Sequence, residues 1–171
     1  TDMMIEMFLT EAQRNPQNNV MIQNQLTRFM TEDADVNFNE ALRKALLVRA
    51  QKSQDLFWNE YLSWFYVQQK EYGKAFIQQK AIYRRNPETF ANIVNLAQLC
   101  IEEGDKITAS DIFGFVLENT QDTELKIRSH TYLMQLKIDG ATVKDLPIID
   151  AELDNLLKQF GVSPYSLPLQ I

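Results

Sequence analysis

The chain has 171 residues, with 17 Lys and Arg against 23 Asp and Glu for a formal net charge of −6, and 45% of it is hydrophobic. That is enough length and apolar content to bury a core, but the acidic balance argues against nucleic acid, which needs a cationic face to displace counterions. No apolar run approaches the roughly 20 residues that span a bilayer, and the single cysteine, Cys100, excludes an internal disulfide.

All five prolines (16, 87, 147, 164 and 168) fall at segment ends, as do four of the five glycines. That distribution predicts an almost entirely helical chain. The exception, Gly114, sits within a helix, where it is expected to mark a close-packing position.

Asp2–Arg14 reads as a helix carrying Met3, Met4, Ile5, Met7, Phe8 and Leu9, stopped by Asn15-Pro16. The ending Arg14-Asn15-Pro16 returns further on as Arg85-Asn86-Pro87, so this helix reads as the second half of a hairpin. Asn before Pro is also expected to start the next helix, with the side chain as N-cap and a ring that lacks the orphan N–H. That helix spans residues 20–31, with Met21, Ile22, Leu26, Phe29 and Met30 apolar, and a polar loop leads to another over 39–52.

Two helices follow, over residues 59–70 and 74–85, with Gly73 expected to break the run and Asn86-Pro87 to stop the second. Six of the ten residues from Phe57 to Tyr66 are aromatic. A helix apolar over most of its circumference must be covered on more than one side. One constant offset lays Leu62 on Leu96, Ser63 on Ala97, Tyr66 on Cys100 and Ala75 on Ala109, and Ala41 precedes Ala75 by the same interval. A sustained period of about 20–50 residues predicts a solenoid of helical hairpins. Residues 123–138 form a further helix in which Ser129 and Tyr132 repeat the small-then-bulky spacing, and 148–160 its partner, closed by Gly161.

A leucine followed by a small residue, a bulky one three positions on, then alanine early in the second helix resembles the tetratricopeptide repeat (TPR) family. The resemblance implies an all-α, right-handed solenoid of antiparallel helical hairpins with about eight to nine helices. Residues 55–120 hold two well-matched repeats, 1–54 and 121–161 diverged ones, and 162–171 a tail. Gln78 and Gln79 depart from the pattern, falling where the first well-matched repeat should carry the second-helix aromatic that Phe113 supplies in the next. The chain opens inside a helix without an initiator Met, and neither end carries the polar cap that closes a solenoid. The expectation is a piece of a longer array.

In TPR proteins the first helix of each pair lines a concave face that receives peptides or partner helices. Carried onto this chain, the groove-facing pattern selects Phe57, Glu60, Trp64, Val67 and Gln68 from one repeat, and Ala91, Val94, Gln98, Ile101 and Glu102 from the next. The lining is apolar with an acidic fringe and suits an apolar or amphipathic helix, or one with basic flanks. Only Asn95 approaches the Lys, Arg and Asn cluster with which one subclass captures a C-terminal carboxylate, so that mode is not expected.

No catalytic constellation is visible, and no metal or cofactor site. His130 is the only histidine, so no His-based metal site or triad can be assembled. Cys100 lies on an apolar face and is expected to be buried and inert. Asp150, Glu152 and Asp154 have the alternate-acid spacing that opens a calcium loop, but Asn155 and Gly161 stand where Gly and Glu are required. Glu102, Glu103 and Asp105 read as a solvated turn, and the basic residues of the second helices as a solvated face with pairing to nearby acids. The expectation is a non-catalytic protein-interaction scaffold whose groove takes another protein or peptide, or further repeats of the same chain. The alternatives are a regulatory or assembly segment of a larger enzyme or sensor, and glycan or small-ligand binding through exposed aromatics.

Overall fold

The structure, a computed structural model, describes residues 2–32 and 36–140, and among them lie eight α-helices, one short 3-10 helix and no strand. A first compact unit holds α1 (Asp2–Arg14), α2 (Asn19–Glu32), α3 (Val36–Lys52), α4 (Leu56–Gln68) and α5 (Tyr72–Arg85). A second holds α6 (Ala91–Glu102), α7 (Lys106–Asn119) and α8 (Thr123–Gly140). None of these helices is long and apolar enough to cross a membrane. The expected helix over 148–160, the acids Asp150, Glu152 and Asp154, and the tail 162–171 lie outside the described residues.

Within each unit, helices adjacent in sequence pack on one another. In α1 the stripe Ile5, Leu9 and Ala12 is buried while Met3 and Met7 face solvent. Ile22, Leu26 and Met30 of α2 and Phe38, Leu42 and Leu46 of α3 are buried at i, i+4, i+8 spacing, the signature of one helix face on a core. Phe8, Phe29 and Phe38 link these three helices, with ring centroids 6.4 and 5.6 Å apart. Glu6 pairs with Arg49 of α3, and Gln13 donates to Asp55 just past its end, so α1 is tied to the α3–α4 junction.

The Arg-Asn-Pro stop recurs in three dimensions. Asn15 N donates to Glu11 O at 2.8 Å and Asn86 N to Ile82 O at 3.0 Å. Their backbones match as well, φ −127 and ψ 80 against φ −142 and ψ 80, the extended geometry that a following proline imposes. The expected N-cap at Asn15 is not formed. A 3-10 turn over Pro16–Asn18 intervenes, and the Asn15 amide reaches back to the Glu11 carboxylate at 2.7 Å, joined by Asn18 at 3.1 Å. These two donors hold the Glu11 carboxyl below the usual range.

The repeat period is expressed most clearly in α4–α5 and α6–α7, since the offset that lays Ala75 on Ala109 also carries Tyr72–Arg85 onto the bounds of α7. Each pair is joined by a three-residue turn, the short connection of a helical hairpin. Leu62 and Leu96, Ser63 and Ala97, Tyr66 and Cys100, and Ala75 and Ala109 are all buried. The third copy is looser: Phe38 and Leu42 are buried like Tyr72 and Phe76, but Ala41 is only half-buried.

Two expectations about glycine are corrected. Gly73 does not end α4; it lies inside the first turn of α5. The break is Lys70, whose φ of 59 places a side-chain-bearing residue in the left-handed region. Glu71 N donates to Tyr66 O and Lys70 N to Val67 O, at 2.9 and 3.0 Å, the paired bonds of a Schellman ending. Gly104 occupies the equivalent place with φ 84, and Asp105 N to Cys100 O and Gly104 N to Ile101 O repeat the pair at 2.8 and 3.2 Å. Gly114, expected at a close approach, has among the described residues no atom within 4 Å of where a Cβ would stand, its own chain neighbours and helix backbone apart.

Candidate functional site

Helix α4 begins at a built cap. Ser53 Oγ accepts from Asp55 N at 3.1 Å, and Asp55 Oδ1 in turn accepts from Phe57 N at 3.0 Å, satisfying one of the orphan donors of the first turn. Beyond it, Trp58, Asn59, Tyr61, Leu62, Ser63, Phe65 and Tyr66 are buried, so most of the circumference is covered. The rest is the face picked out from sequence: Phe57, Trp64 and Val67 are half-buried, Glu60 and Gln68 exposed.

That face is built on the rings beneath it. Phe57 stands edge-on to Trp58 at 4.9 Å and lies 5.5 Å from Tyr61, while Trp64 meets Tyr61 edge-on at 5.4 Å. The Arg49 guanidinium sits 4.8 Å over the buried Trp58 ring and pairs with Glu6, fixing the floor from α3 and α1. Burial raises the Tyr61 phenol, whose hydroxyl has no hydrogen-bond partner among the described residues. The result is two aromatic ledges, Phe57 and Trp64, with the Glu60 carboxylate between them in sequence.

The second unit presents the corresponding face of α6. Val94, Gln98 and Ile101 are half-buried, Ala91, Asn95 and Glu102 exposed, and Ile93, Leu96, Ala97 and Cys100 buried. In the acidic corner, Glu103 is exposed, but Asp105 is part of the helix start, where its Oδ1 accepts from Thr108 N at 3.1 Å and caps α7. Each face therefore lies within its own unit, and each is largely apolar with one exposed carboxylate, Glu60 on α4 and Glu102 on α6.

The groups weighed for chemistry have other surroundings. Cys100 is fully buried, and burial together with the Asp105 carboxylate pushes its thiol up to about 11. His130 is half-buried on α8, and burial lowers its pKa. The second-helix cations pair locally, Arg43 with Glu40 and Lys74 with Glu71. Lys80 lies 4.6 Å over Phe76.

One feature had no sequence signal: an open cleft of about 550 Å³ between α1 and α3, lined by the apolar Ile5, Ala41, Ala45 and Val48 and by the charged Glu6, Glu40 and Lys44 among others. It depends on how two helices that are not neighbours in the chain pack, and no local pattern encodes that. Comparison with known proteins found no matching family model, no matching curated relative and no matching solved structure.

Proposed function

We propose that this chain is a non-catalytic interaction scaffold, its hairpins the units of a right-handed TPR-like solenoid whose first helices offer preformed apolar faces to a partner protein or peptide. The observation that carries this reading is the exposure pattern of α4. Seven of its residues are buried, yet Phe57, Trp64 and Val67 keep part of their apolar surface open along one side. A rigid aromatic on a supported ledge is the kind of group that dominates binding energy in such contacts. The partner is an apolar or amphipathic segment, and basic flanks on it would meet Glu60 on α4 or Glu102 on α6.

The test treats the two units separately. Trp64→Ala in the first and Val94→Lys in the second are compared with the wild-type chain in capture from lysate, with circular dichroism as the control for folding. A photo-crosslinking residue at Gln68 reports whether the captured protein lies on the α4 face. The expected outcome is one crosslinked partner whose affinity falls by about 2 kcal/mol with Trp64→Ala. Capture unchanged by both substitutions, or a partner that never crosslinks from Gln68, defeats the reading.

A further inference from the structure

The two best-matched hairpins share a backbone plan but differ at four positions in the seam between their helices. In the first, Asn59 Nδ2 donates to Gln78 Oε1 at 3.1 Å and Gln79 Nε2 to Ser63 Oγ at 2.9 Å, tying α4 to α5. One repeat further on, Asn59, Gln78, Gln79 and Ser63 become Ile93, Ile112, Phe113 and Ala97 respectively, all buried. Polar side chains meet polar ones in one seam, and the same four places are apolar in the other.

The buried Tyr72 and Phe76 also differ from their counterparts, the exposed Lys106 and half-buried Ser110, but at the four seam positions hydrogen-bonded pairs in one hairpin stand where the other has apolar ones. Tyr72–Arg85 and Lys106–Asn119 have the same length and phase, the turns before them make the same pair of backbone bonds, and Ala75 and Ala109 are both fully buried. By backbone alone, α5 offers α6 much the same seat that α7 does. Chains built from like repeats are open to wrong pairing and to exchange of helices between copies.

We infer that the Asn59–Gln78 and Ser63–Gln79 pairs, set against Ile93, Ala97, Ile112 and Phe113, form a pairing code that disfavours α4 on α7 and α6 on α5, whether the two helices belong to one chain or to two copies. Exchange would set Asn59 and Ser63 against Ile112 and Phe113, and Gln78 and Gln79 against Ile93 and Ala97. Asn59 and Ser63 are buried, so an apolar partner helix strips them of their hydrogen bonds with no water to replace them, and a buried polar group without a partner is strongly disfavoured. The native pairing already leaves Asn59 Oδ1 unpartnered, which leaves little tolerance for further loss. Specificity here comes from the penalty on the wrong pairing, as polar positions set partner choice in coiled coils.

The test makes the code degenerate and then restores it. In the full chain, Asn59→Ile, Ser63→Ala, Gln78→Ile and Gln79→Phe give both hairpins the apolar set. An eight-substitution chain adds Ile93→Asn, Ala97→Ser, Ile112→Gln and Phe113→Gln, which exchanges the sets but keeps them distinct. Each is refolded from urea over a range of chain concentrations and read by light scattering after size exclusion, with circular dichroism for helix content. The degenerate chain is expected to fold and to show at least a fivefold rise over wild type in species of altered mass, growing with concentration. The exchanged chain is expected to fold at a lower urea midpoint, since Ile93, Ile112 and Phe113 are buried in the native seam, and to return to within twofold of wild type in species of altered mass. A degenerate chain as uniform as wild type, or one that fails to fold, overturns the inference. So does an exchanged chain that fails to fold or is as mixed as the degenerate one. Its composition is that of the wild type and its seams again differ, so native packing lost at the substituted positions, not shared pairing, would then be the cause.

Discussion

The hairpins α4–α5 and α6–α7 solve one backbone problem with different chemistry. The turn of the second uses the residues its geometry favours: Gly104 at φ 84, then Asp105 capping α7 through Thr108 N. The turn of the first places Lys70 in the left-handed region and follows it with Glu71, which makes no side-chain cap bond to α5 and pairs with Lys74 instead. The seams differ in the same sense, with hydrogen bonds in the first where the second has aliphatic and aromatic side chains. The difference teaches that the shared shape is met by whichever side chains close the geometry.

The strongest way to break the comparison is to carry one element of the first seam into the second. Phe113 is 1% exposed. Replacing it with Gln, the residue at the equivalent position, removes a large buried ring and adds a polar group without a partner, and is expected to cost about 3–5 kcal/mol. If the seams are equivalent, adding Ala97→Ser supplies the Ser63 counterpart and recovers about 1 kcal/mol relative to the sum of the single changes. Urea titration of the two single variants and the double variant closes the cycle. Strict additivity would mean that the seams are not interchangeable in geometry.

The turns come next in size. Gly104→Lys puts a β-carbon at a φ that such residues rarely adopt and is expected to destabilise by about 1–2 kcal/mol. The reverse change, Lys70→Gly, relieves the same strain but adds chain entropy to the unfolded state, leaving a net gain of about 0.5–1 kcal/mol. Opposite shifts in the urea midpoint would sharpen the comparison. A loss on both sides would show that Lys70 contributes through contacts of its own side chain.

These differences also mark how far the sequence can be read. The period, the paired positions Leu62 and Leu96 or Ala75 and Ala109, and the Arg-Asn-Pro stop are all legible because they are local and repeat. The α4 face that includes Phe57 and Trp64 is legible for another reason: six aromatics are more than one seam absorbs, and four of them, Trp58, Tyr61, Phe65 and Tyr66, are buried. The α4–α5 turn is not legible, because a Schellman ending demands backbone bonds rather than a residue type, and Gly73 is a more conspicuous breaker than Lys70. Gln78 and Gln79 look like lapses from the repeat. Their meaning depends on Asn59 and Ser63, 19 and 16 residues away in the hydrogen-bonded pairs. Two polar residues one helical turn apart in an otherwise aromatic helix are the available clue. The α1–α3 cleft needs packing geometry that no pattern supplies.

The smallest expected effect concerns Gly114. Its counterpart in the first hairpin is Lys80, a long side chain that folds over Phe76. The equivalent place in α7 therefore faces room, in keeping with the space beside Gly114 among the described residues. Glycine within a helix adds backbone entropy to the unfolded state without gaining contacts in the folded one. Gly114→Ala is expected to stabilise the chain by about 0.5–1 kcal/mol, read as a higher urea midpoint at unchanged slope. A destabilised alanine variant would restore the close-packing role first expected of Gly114, and would mean that the two hairpins diverge at this position in backbone approach as well as in side chains.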